Sequence, residues 1–324
     1  MNDDGLAGLE LTHLRYFVAL AEELHFGRAA ARLHISQPPL TQQIQRLEAR
    51  VGHALFRRTS RHTELTEAGR VFYDGARAVV QETARALEVT RRVARGEQGQ
   101  LTLGTPPSLM LGGLPRAILA FRQRFPSVNL RLREMATSRI FEALESGTVD
   151  LGLVRGPTVP DSLTRLASWT EPVIAILPRG HRLVRARRFG LGMLSKEPFV
   201  FFSRALGPGF HEELLGACRA AGFEPRVVQE ATQWSSVVSL VSAGIGVSIG
   251  PASVARLLKG AIVVRPLPHL STEVHLVRSP HRDNPVARHF VDRLLSASAS
   301  AGAAILPPAH PPPRRAPGAR RGSE

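Results

Sequence analysis

The sequence predicts an α/β protein whose N-terminal part is all-helical. Three observations support this fold class. Residues 11–96 are almost wholly helical in pattern, apart from one short β-like stretch. A polar, glycine-containing break follows at 97–100. Beyond the break, short apolar strands alternate with helices, which indicates α/β units around a largely parallel sheet.

Composition restricts the partners and the compartment. The net charge of the 324-residue chain is +15, which favours an anionic partner such as nucleic acid. A merely basic surface is the alternative, because the arginines are spread along the chain. The single cysteine, Cys218, excludes an intrachain disulfide and a cysteine-cluster metal site. The sequence has no export signal and no apolar run of about 18 residues, so we expect a cytoplasmic protein without a membrane span.

Three short helices are expected first. Leu14 and Phe17 lie on the apolar face of the first helix. Three consecutive alanines at 29–31 allow the second helix to pack closely on the third. Ser36 is a candidate N-cap of the third helix, because two prolines follow Gln37 and prolines are tolerated in a first turn.

The third helix has a polar face that suits base recognition. At 100° per residue, Leu40, Ile44 and Leu47 share the face that must be buried. The amides and the hydroxyl opposite them are groups that meet bases in the major groove. A solvated polar face is the alternative. The residues on or beside this polar face are Pro38, Thr41, Gln42, Gln45 and Ala49.

A short basic hairpin, or wing, is expected at residues 55–65. Apolar residues begin and end this stretch, and its tip is basic. Such a wing can lay arginines along DNA phosphates. The arginines expected to do so are Arg57, Arg58 and Arg61.

A long helix follows the wing, from residue 67 to about 95, with Thr66 as its cap. A stripe of apolar and hydroxyl residues at three- and four-residue spacing runs along it. The stripe predicts a coiled-coil seam, and therefore dimerisation through this helix. Its members are Phe72, Ala76, Val79, Thr83, Leu87 and Thr90.

Beyond residue 100, four helix starts are expected to meet at one cleft. Ligands bind beyond the carboxyl ends of strands in open α/β sheets, and helix N-termini favour a carboxylate. Ordinary helix capping is the alternative at each site. The helix starts lie at 105–108, 135–138, 207–210 and 232–235. The expected strands lie at 101–104, 128–133, 150–154, 173–177, 199–202, 226–229, 246–249, 262–265 and 273–278, and the helices near 112–125, 138–147, 209–221, 234–243, 251–258 and 284–296.

Three motifs resemble the LysR-type transcriptional regulators. They are FGRAAARLHISQPPLTQQIQRLE at 26–48, LFRR at 55–58 and LTEAG at 65–69. The resemblance covers about 11–295 and implies a winged helix-turn-helix, a dimerising linker helix and an effector domain similar to periplasmic binding proteins. It also implies a homodimer or homotetramer on double-stranded DNA. The residues that match base-contacting positions are Gln37, Pro38, Thr41 and Gln42, although many members carry arginine where Gln42 stands.

The second half resembles the branch of that family that senses benzoate, muconate and related acids. The resemblance implies a small organic acid as effector, no cofactor, and two subdomains, at about 100–170 with 272–296 and at about 171–271. Trp234 is bulkier than the usual aliphatic residue and is expected to shrink or flatten the pocket. The residues that match effector positions are Ser108, Thr137, Pro208, Phe210, Gln233 and Trp234.

Two other function classes fit the sequence less well. A solute-binding protein for transport would need an export signal and would lack the helix-turn-helix. An enzyme is not expected, because the histidines lack metal-ligand spacing and no glycine-rich phosphate loop or Gly-x-Ser-x-Gly motif is present. We therefore expect no catalytic residue and no metal site.

The expected domain boundaries follow from these segments. Residues 297–324 are rich in proline and arginine and cannot bury a core, so we expect a disordered tail there. The boundaries are 1–10 for a flexible N-terminus, 11–66 for the winged helix-turn-helix, 67–96 for the linker helix, 97–296 for the effector domain and 297–324 for the tail.

Overall fold

The computed structural model describes residues 8–58, 62–257 and 260–300, in two compact units, Met1–Arg92 and Val93–Glu324. Arg61, most of the predicted tail and most of the predicted flexible N-terminus lie outside the described residues. Within the described ranges, no helix has the length and hydropathy to cross a membrane.

The first unit is a small helical core with a two-stranded hairpin. Phe17 lies at its centre, fully buried, with its ring 5.2 Å from that of Phe56 and 5.0 Å from that of Phe72. These contacts join the first helix, the hairpin and the long helix, as the apolar pattern predicts. The elements are α1 (Leu11–Glu23), α2 (Phe26–Arg32), α3 (Gln37–Val51), β1 (Phe56–Arg58), β2 (Thr63–Leu65) and α4 (Glu67–Ala94), which ends just past the unit boundary.

Side chains cap two of the helix starts in this unit, and a third start has no side-chain cap. The Thr66 hydroxyl accepts from the Gly69 N–H at 3.0 Å, so its predicted cap of α4 is confirmed. His25 Nδ1 accepts from the Arg28 N–H at 3.2 Å and caps α2. Ser36 occupies the N-cap position of α3, but its hydroxyl makes no capping bond.

The predicted stripe on α4 is divided between two environments. Ala76 is buried, and Phe72 packs against the core of the first unit, so these two residues are not part of an open seam. Val79 and Leu87 are 49% and 54% exposed. Among the described residues, the stripe is therefore unpartnered only in its later part, where the Thr83 hydroxyl donates to the carbonyl of Val79.

The second unit is a mixed α/β structure. A short 3₁₀ turn (Ala252–Arg256) stands where a helix is predicted near 251–258. The last helix continues to Ser300, past the predicted start of the tail. The elements are β3 (Gly99–Thr105), α5 (Leu114–Arg124), β4 (Val128–Glu134), α6 (Thr137–Glu145), β5 (Leu151–Arg155), β6 (Thr164–Pro178), β7 (Pro198–Phe202), α7 (Pro208–Ala220), β8 (Arg226–Ala231), α8 (Trp234–Ser242), β9 (Ser248–Pro251), β10 (Ile262–Arg278) and α9 (Pro285–Ser300).

The main sheet is mixed, which corrects the predicted largely parallel sheet. Its strand order is β4-β3-β5-β10-β6-β9. Strands β4, β3 and β5 run parallel, whereas β10 is antiparallel to both β5 and β6, and β6 is antiparallel to β9. The parallel pattern holds only where a helix crosses over between neighbouring strands. The return strand β10 lies beside β5 and β6 with opposite polarity.

Strands β6 and β10 connect two lobes, each with its own core. Their pairing changes register between Pro266 and Ser271. On one side of this irregularity, which we call the hinge bulge, lies the core around Trp169 and Phe290. On the other side lies the core around Phe199 and Trp234. We name the first part lobe I (99–172 and 271–300) and the second part lobe II (173–267).

Candidate DNA-reading helix and effector site

The two faces of α3 have the environments that the sequence predicts. Leu40, Ile44 and Leu47 are fully buried in the core of the first unit. The opposite face is open to solvent, and Thr41 at its flank is half-buried. This geometry leaves amide and hydroxyl groups free at the N-terminal end of the helix, where a groove-bound helix meets base edges. The exposed candidates are Ser36, Gln37, Pro38, Gln42 and Gln45.

Glu48 joins α3 to the wing, a role that sequence reasoning missed. Its Oε1 accepts from the backbone N–H groups of Leu55 and Phe56 at 2.9 and 3.0 Å. Two bonds to one carboxylate oxygen fix the start of the wing relative to the helix. The sequence signal was an acidic residue directly after the apolar Leu47 and shortly before the basic stretch of the wing.

The wing arginines differ in their surroundings. The Arg58 guanidinium lies 4.7 Å from the centre of the Phe26 ring and 3.5 Å from Glu48. Arg57 is exposed, and its register partner across the hairpin is Glu64. Arg57 is therefore the freer of the two for a phosphate. The third predicted arginine, Arg61, lies outside the described residues.

Ser108 and Thr137 follow neighbouring strands, as predicted. Strands β3 and β4 are parallel, and the N–H of Met135 donates to the carbonyl of Thr105 at 3.1 Å, which holds the strand ends together. Ser108 is buried in a 3₁₀ turn (Pro107–Leu111). Thr137 is half-buried in the first turn of α6, and its hydroxyl donates to the carbonyl of Arg155 at 3.5 Å.

Phe210 and Trp234, two of the predicted effector residues, are core residues of lobe II. They are 3% and 4% exposed. The Trp234 indole stacks on Phe202 with ring centres 5.1 Å apart and planes within 2°. A Cβ on Gly250 would lie 2.4 Å from the indole, so the absence of a side chain there makes room for the ring. The large indole of Trp234 therefore fits because position 250 is a glycine.

Pro208 and Gln233 are the exposed members of the predicted effector set. Pro208 is the first residue of α7, and Gln233 is the N-cap residue of α8 without a side-chain capping bond. Both therefore lie at helix starts, where unpaired backbone N–H groups favour an anion.

Arg155, which was not predicted, lies at the junction of the two lobes. It ends β5, and its side chain is only 3% exposed. Its Nη2 lies 2.6 Å from Glu171 Oε2, and its guanidinium lies 5.3 Å from the centre of the Phe210 ring. Nε and Nη1 are buried without a hydrogen-bond partner in the part of the chain that the structure describes. The available signal was an arginine at the end of the apolar run LGLV.

Two carboxyl groups face this arginine. Burial alone would raise the pKa of Glu171, but the attraction of Arg155 and its hydrogen bonds hold that pKa below the ordinary value. Glu171 Oε1 also accepts from the Ser253 N–H at 2.7 Å. Burial raises the pKa of Glu213, although the Thr272 hydroxyl, which donates to it, opposes the shift. The Glu171 charge is thus retained beside Arg155.

The four predicted helix starts are linked through Arg155 and its neighbours. The Thr137 hydroxyl donates to the carbonyl of Arg155. The next residue, Gly156, lies close to the start of α7, because a Cβ on it would be 3.6 Å from the backbone nitrogen of Phe210. Phe210 contacts Trp234 at the start of α8. The turn that holds Ser108 is bound by Arg256, which donates to the carbonyls of Leu111 and Gly112 from the same 3₁₀ turn as Ser253.

Two family models together match almost all of the described chain. Residues 11–70 match the bacterial regulatory helix-turn-helix protein, LysR family, and residues 94–299 match the LysR substrate binding domain. The chain belongs to the LysR family. It is a DNA-binding transcriptional regulator with an effector-binding domain, and not an enzyme.

Curated LysR-family relatives match along most of their length. The chain is 38% identical to the HTH-type transcriptional regulator AlsR of Bacillus subtilis, over 87% of this chain and 94% of that protein. It is 41% identical to the uncharacterized HTH-type transcriptional regulator YnfL of Escherichia coli, over 89% and 99%. The HTH-type transcriptional regulator ClcR of Pseudomonas putida is 37% identical over 77% of this chain and 85% of that protein.

Solved structures of LysR-family regulators share the fold. CbnR superposes with a TM-score of 0.79 at 29% identity, covering 88% of this chain and 99% of that one. Full-length CbnR in complex with its target DNA gives a TM-score of 0.74 at 28% identity, over 88% and 98%. Full-length BenM gives 0.58 at 29% identity, over 90% and 97%.

Proposed function

We propose that this regulator binds an operator through α3 and the wing, and that a small organic acid bound between lobe I and lobe II controls it. The buried, partly unpartnered guanidinium of Arg155 carries this proposal. A small acid of the benzoate or muconate kind fits the proposal, because the segments at 104–116 and 208–210 resemble the branch that senses such acids. The same resemblance supports a cytoplasmic homodimer or homotetramer.

The electrostatics at the lobe junction favour an anionic ligand. An unsatisfied buried donor costs about 1–3 kcal/mol, and more when the group is charged. Arg155 presents two such donor atoms, Nε and Nη1. Glu171 accepts a hydrogen bond only from the remaining donor atom, Nη2. A ligand carboxylate that accepts from the free donors would remove this cost, and charge-assisted bonds of this kind are stronger than neutral ones.

The two hydroxyls complete the proposed site. Thr137 makes only a long bond of 3.5 Å to the Arg155 carbonyl, so a ligand oxygen can replace that acceptor at small cost. Ser108 is buried in the neighbouring turn. We assign both as donors to the acid, with Pro208 and Gln233 at the two helix starts of lobe II. Phe210 forms an apolar floor beneath the guanidinium.

Control of DNA binding requires that the acid prefers one arrangement of the lobes. A ligand shifts an equilibrium only by its difference in affinity between the two states. Because the proposed contacts come from both lobes, the affinity depends on how far the lobes are closed. The hinge bulge in β10 is where the connection between them is irregular.

The test is a thermal-shift and calorimetric screen of the full chain against aromatic and dicarboxylic acids. An acid present at about 100 times its Kd should stabilise the effector unit by about 2.7 kcal/mol. A gel shift with the operator fragment, with and without that acid, should show altered affinity or mobility. If uncharged amides of the same acids bind equally well, the anion site is wrong. If acids bind but leave operator complexes unchanged, control by the acid is wrong.

A further inference from the structure

Lobe II carries a dense basic surface that neither α3, nor the wing, nor the proposed effector site uses. We call residues 179–188 the basic loop. It contains five arginines in ten residues, and all five are exposed. They follow the end of β6 and surround a short 3₁₀ turn (Arg182–Arg185). They are Arg179, Arg182, Arg185, Arg187 and Arg188.

Little of this charge is neutralised. Arg182 pairs with Glu197, whose carboxylate is also 3.2 Å from His181. Arg185, Arg187 and Arg188 have no carboxylate partner among the residues that the structure describes. Like charges so close in sequence repel one another, and an external polyanion would relieve that repulsion.

The basic loop is held in place by lobe II. The guanidinium of Arg265 donates to the carbonyls of Val184 and Ala186 at 2.6 and 2.8 Å, and it lies 4.9 Å from the centre of the Phe189 ring. Leu183 is 5% exposed and packs in the core of lobe II. The backbone of the loop is therefore already ordered, so binding an anion through the arginines requires little further ordering of the chain.

We propose that the basic loop binds the phosphate backbone of duplex DNA that flanks the operator. Duplex DNA presents about one negative charge per 1.7 Å of helix axis, which matches a surface of closely spaced arginines better than a single small anion does. We assign these arginines to phosphate contacts, which carry no sequence information. The chain belongs to a family of DNA-binding regulators, so duplex DNA is a polyanion that it binds through its first unit.

The test compares two triple variants of the full chain in salt titrations of DNA binding. One variant is Arg185→Gln, Arg187→Gln and Arg188→Gln. The matched control is Arg116→Gln, Arg131→Gln and Arg133→Gln, which removes the same charge from exposed arginines of lobe I. Each protein is titrated on a short fragment holding only the operator and on a longer fragment with flanking duplex.

Loss of phosphate contacts should flatten the salt dependence by about 0.9 in the log–log slope per contact, only for the basic-loop variant and only on the longer fragment. The corresponding lysine variant should keep the wild-type slope, because a phosphate contact needs charge rather than a guanidinium fork. Equal slopes for the basic-loop and control variants would overturn the proposal. It would also be overturned if DNA binding is unchanged while transcription with purified RNA polymerase is lost, since that result assigns the loop to an acidic protein.

Discussion

At the scale of single residues, the candidate effector site contains polar groups whose internal bonds are incomplete. Thr137 has one long hydrogen bond, and Arg155 has two donors without a partner. Such groups are rare in buried positions because they cost free energy. Where they cluster beside helix starts, a ligand that completes their bonding is the simplest physical explanation.

Replacing Thr137 by valine should weaken acid binding and spare DNA binding. Valine keeps the shape and deletes only the hydroxyl, whose charge-assisted bond is worth roughly 1.5–3 kcal/mol, or roughly 10–150-fold in Kd. Calorimetry with an acid found in the screen measures the first effect, and a gel shift without acid measures the second. Ser138→Ala, at an exposed neighbouring position, is the control. Unchanged acid affinity in the valine variant would leave Thr137 as an ordinary helix residue.

Arg57→Ala and Arg58→Ala should each weaken binding to all DNA and reduce the salt slope by about 0.9. Only Arg58→Ala should also lower the melting temperature slightly, because Arg58 packs on Phe26 and pairs with Glu48. Salt titrations on operator and unrelated DNA, with melting curves, separate the two effects. The phosphate role fails for either residue whose loss leaves the slope unchanged.

His275 should make the effector unit less stable in acid. It is fully buried, and Gly156 O accepts from its Nε2–H, so Nδ1 accepts from the Ser168 hydroxyl. Burial lowers its pKa below 6.5, and Arg165 lowers it further, while Glu273 and the Gly156 bond oppose the shift. The folded state thus favours neutral imidazole. Its contribution is complete above pH 6.5 and is lost as the pH falls through the lower folded-state pKa.

Melting curves at pH 7.5 and 5.5 check this sign. The wild type should lose more stability on acidification than His275→Gln, which keeps one donor and one acceptor. Replacing an exposed histidine, as in His281→Gln, should leave the wild-type difference in place. If the pH dependence of stability in His275→Gln equals that of the wild type, His275 does not cause the loss of stability in acid.

At the scale of elements, α4 is the long helix whose later apolar residues remain exposed in the part of the chain that the structure describes. Val79 and Leu87 are about half exposed, and the hydroxyls of Thr83 and Thr90 donate to carbonyls one turn earlier. The stripe is therefore less polar than its composition suggests. We expect a second copy of the chain to cover it.

Replacing Val79 and Leu87 by glutamate should dissociate the oligomer, because it would bury charges in the seam. Gln81→Glu with Ala84→Glu adds the same charge to the other side of the helix and should leave the assembly intact. Light scattering gives the molar mass of each. An intact assembly in the first variant would place the interface elsewhere.

Local patterns were sufficient where an element makes its main contacts near itself in sequence. The buried face of α3 and the cap of α4 follow from side-chain periodicity and a hydroxyl. By contrast, β10 was expected as two separate strands, at 262–265 and 273–278. The pattern breaks at the hinge bulge, where Pro266, Pro268 and the left-handed His269 interrupt the apolar alternation. Only pairing with β6 makes the segment one strand.

The candidate site shows the same division. Helix starts were predictable from Pro208 and Thr137, because glycine, proline and hydroxyl residues mark them locally. The role of Arg155 was not, since it depends on Glu171 and on an aromatic ring from the other lobe. The burial of Trp234 depends likewise on a glycine that lies on a different strand.

At the scale of the whole molecule, the lobe junction and the two long strands β6 and β10 belong to the same unit and contact each other. Glu171 lies on β6 and Thr272 on β10, and each bonds a group at the junction. A change in the bonding of the Arg155 guanidinium therefore acts directly on β6, through Glu171. The contacts proposed for the acid and the elements that must move are adjacent.

The fit of Trp234 beside Gly250 also restricts how this protein can change over generations. Any side chain at 250 would collide with the indole, whereas a smaller residue at 234 leaves only a void. Of the two mutational orders, the one that shrinks Trp234 first avoids this collision. Laboratory selection for folded variants of lobe II should therefore recover substitutions at 234 before any at 250, and selection for 250 alone should return few survivors.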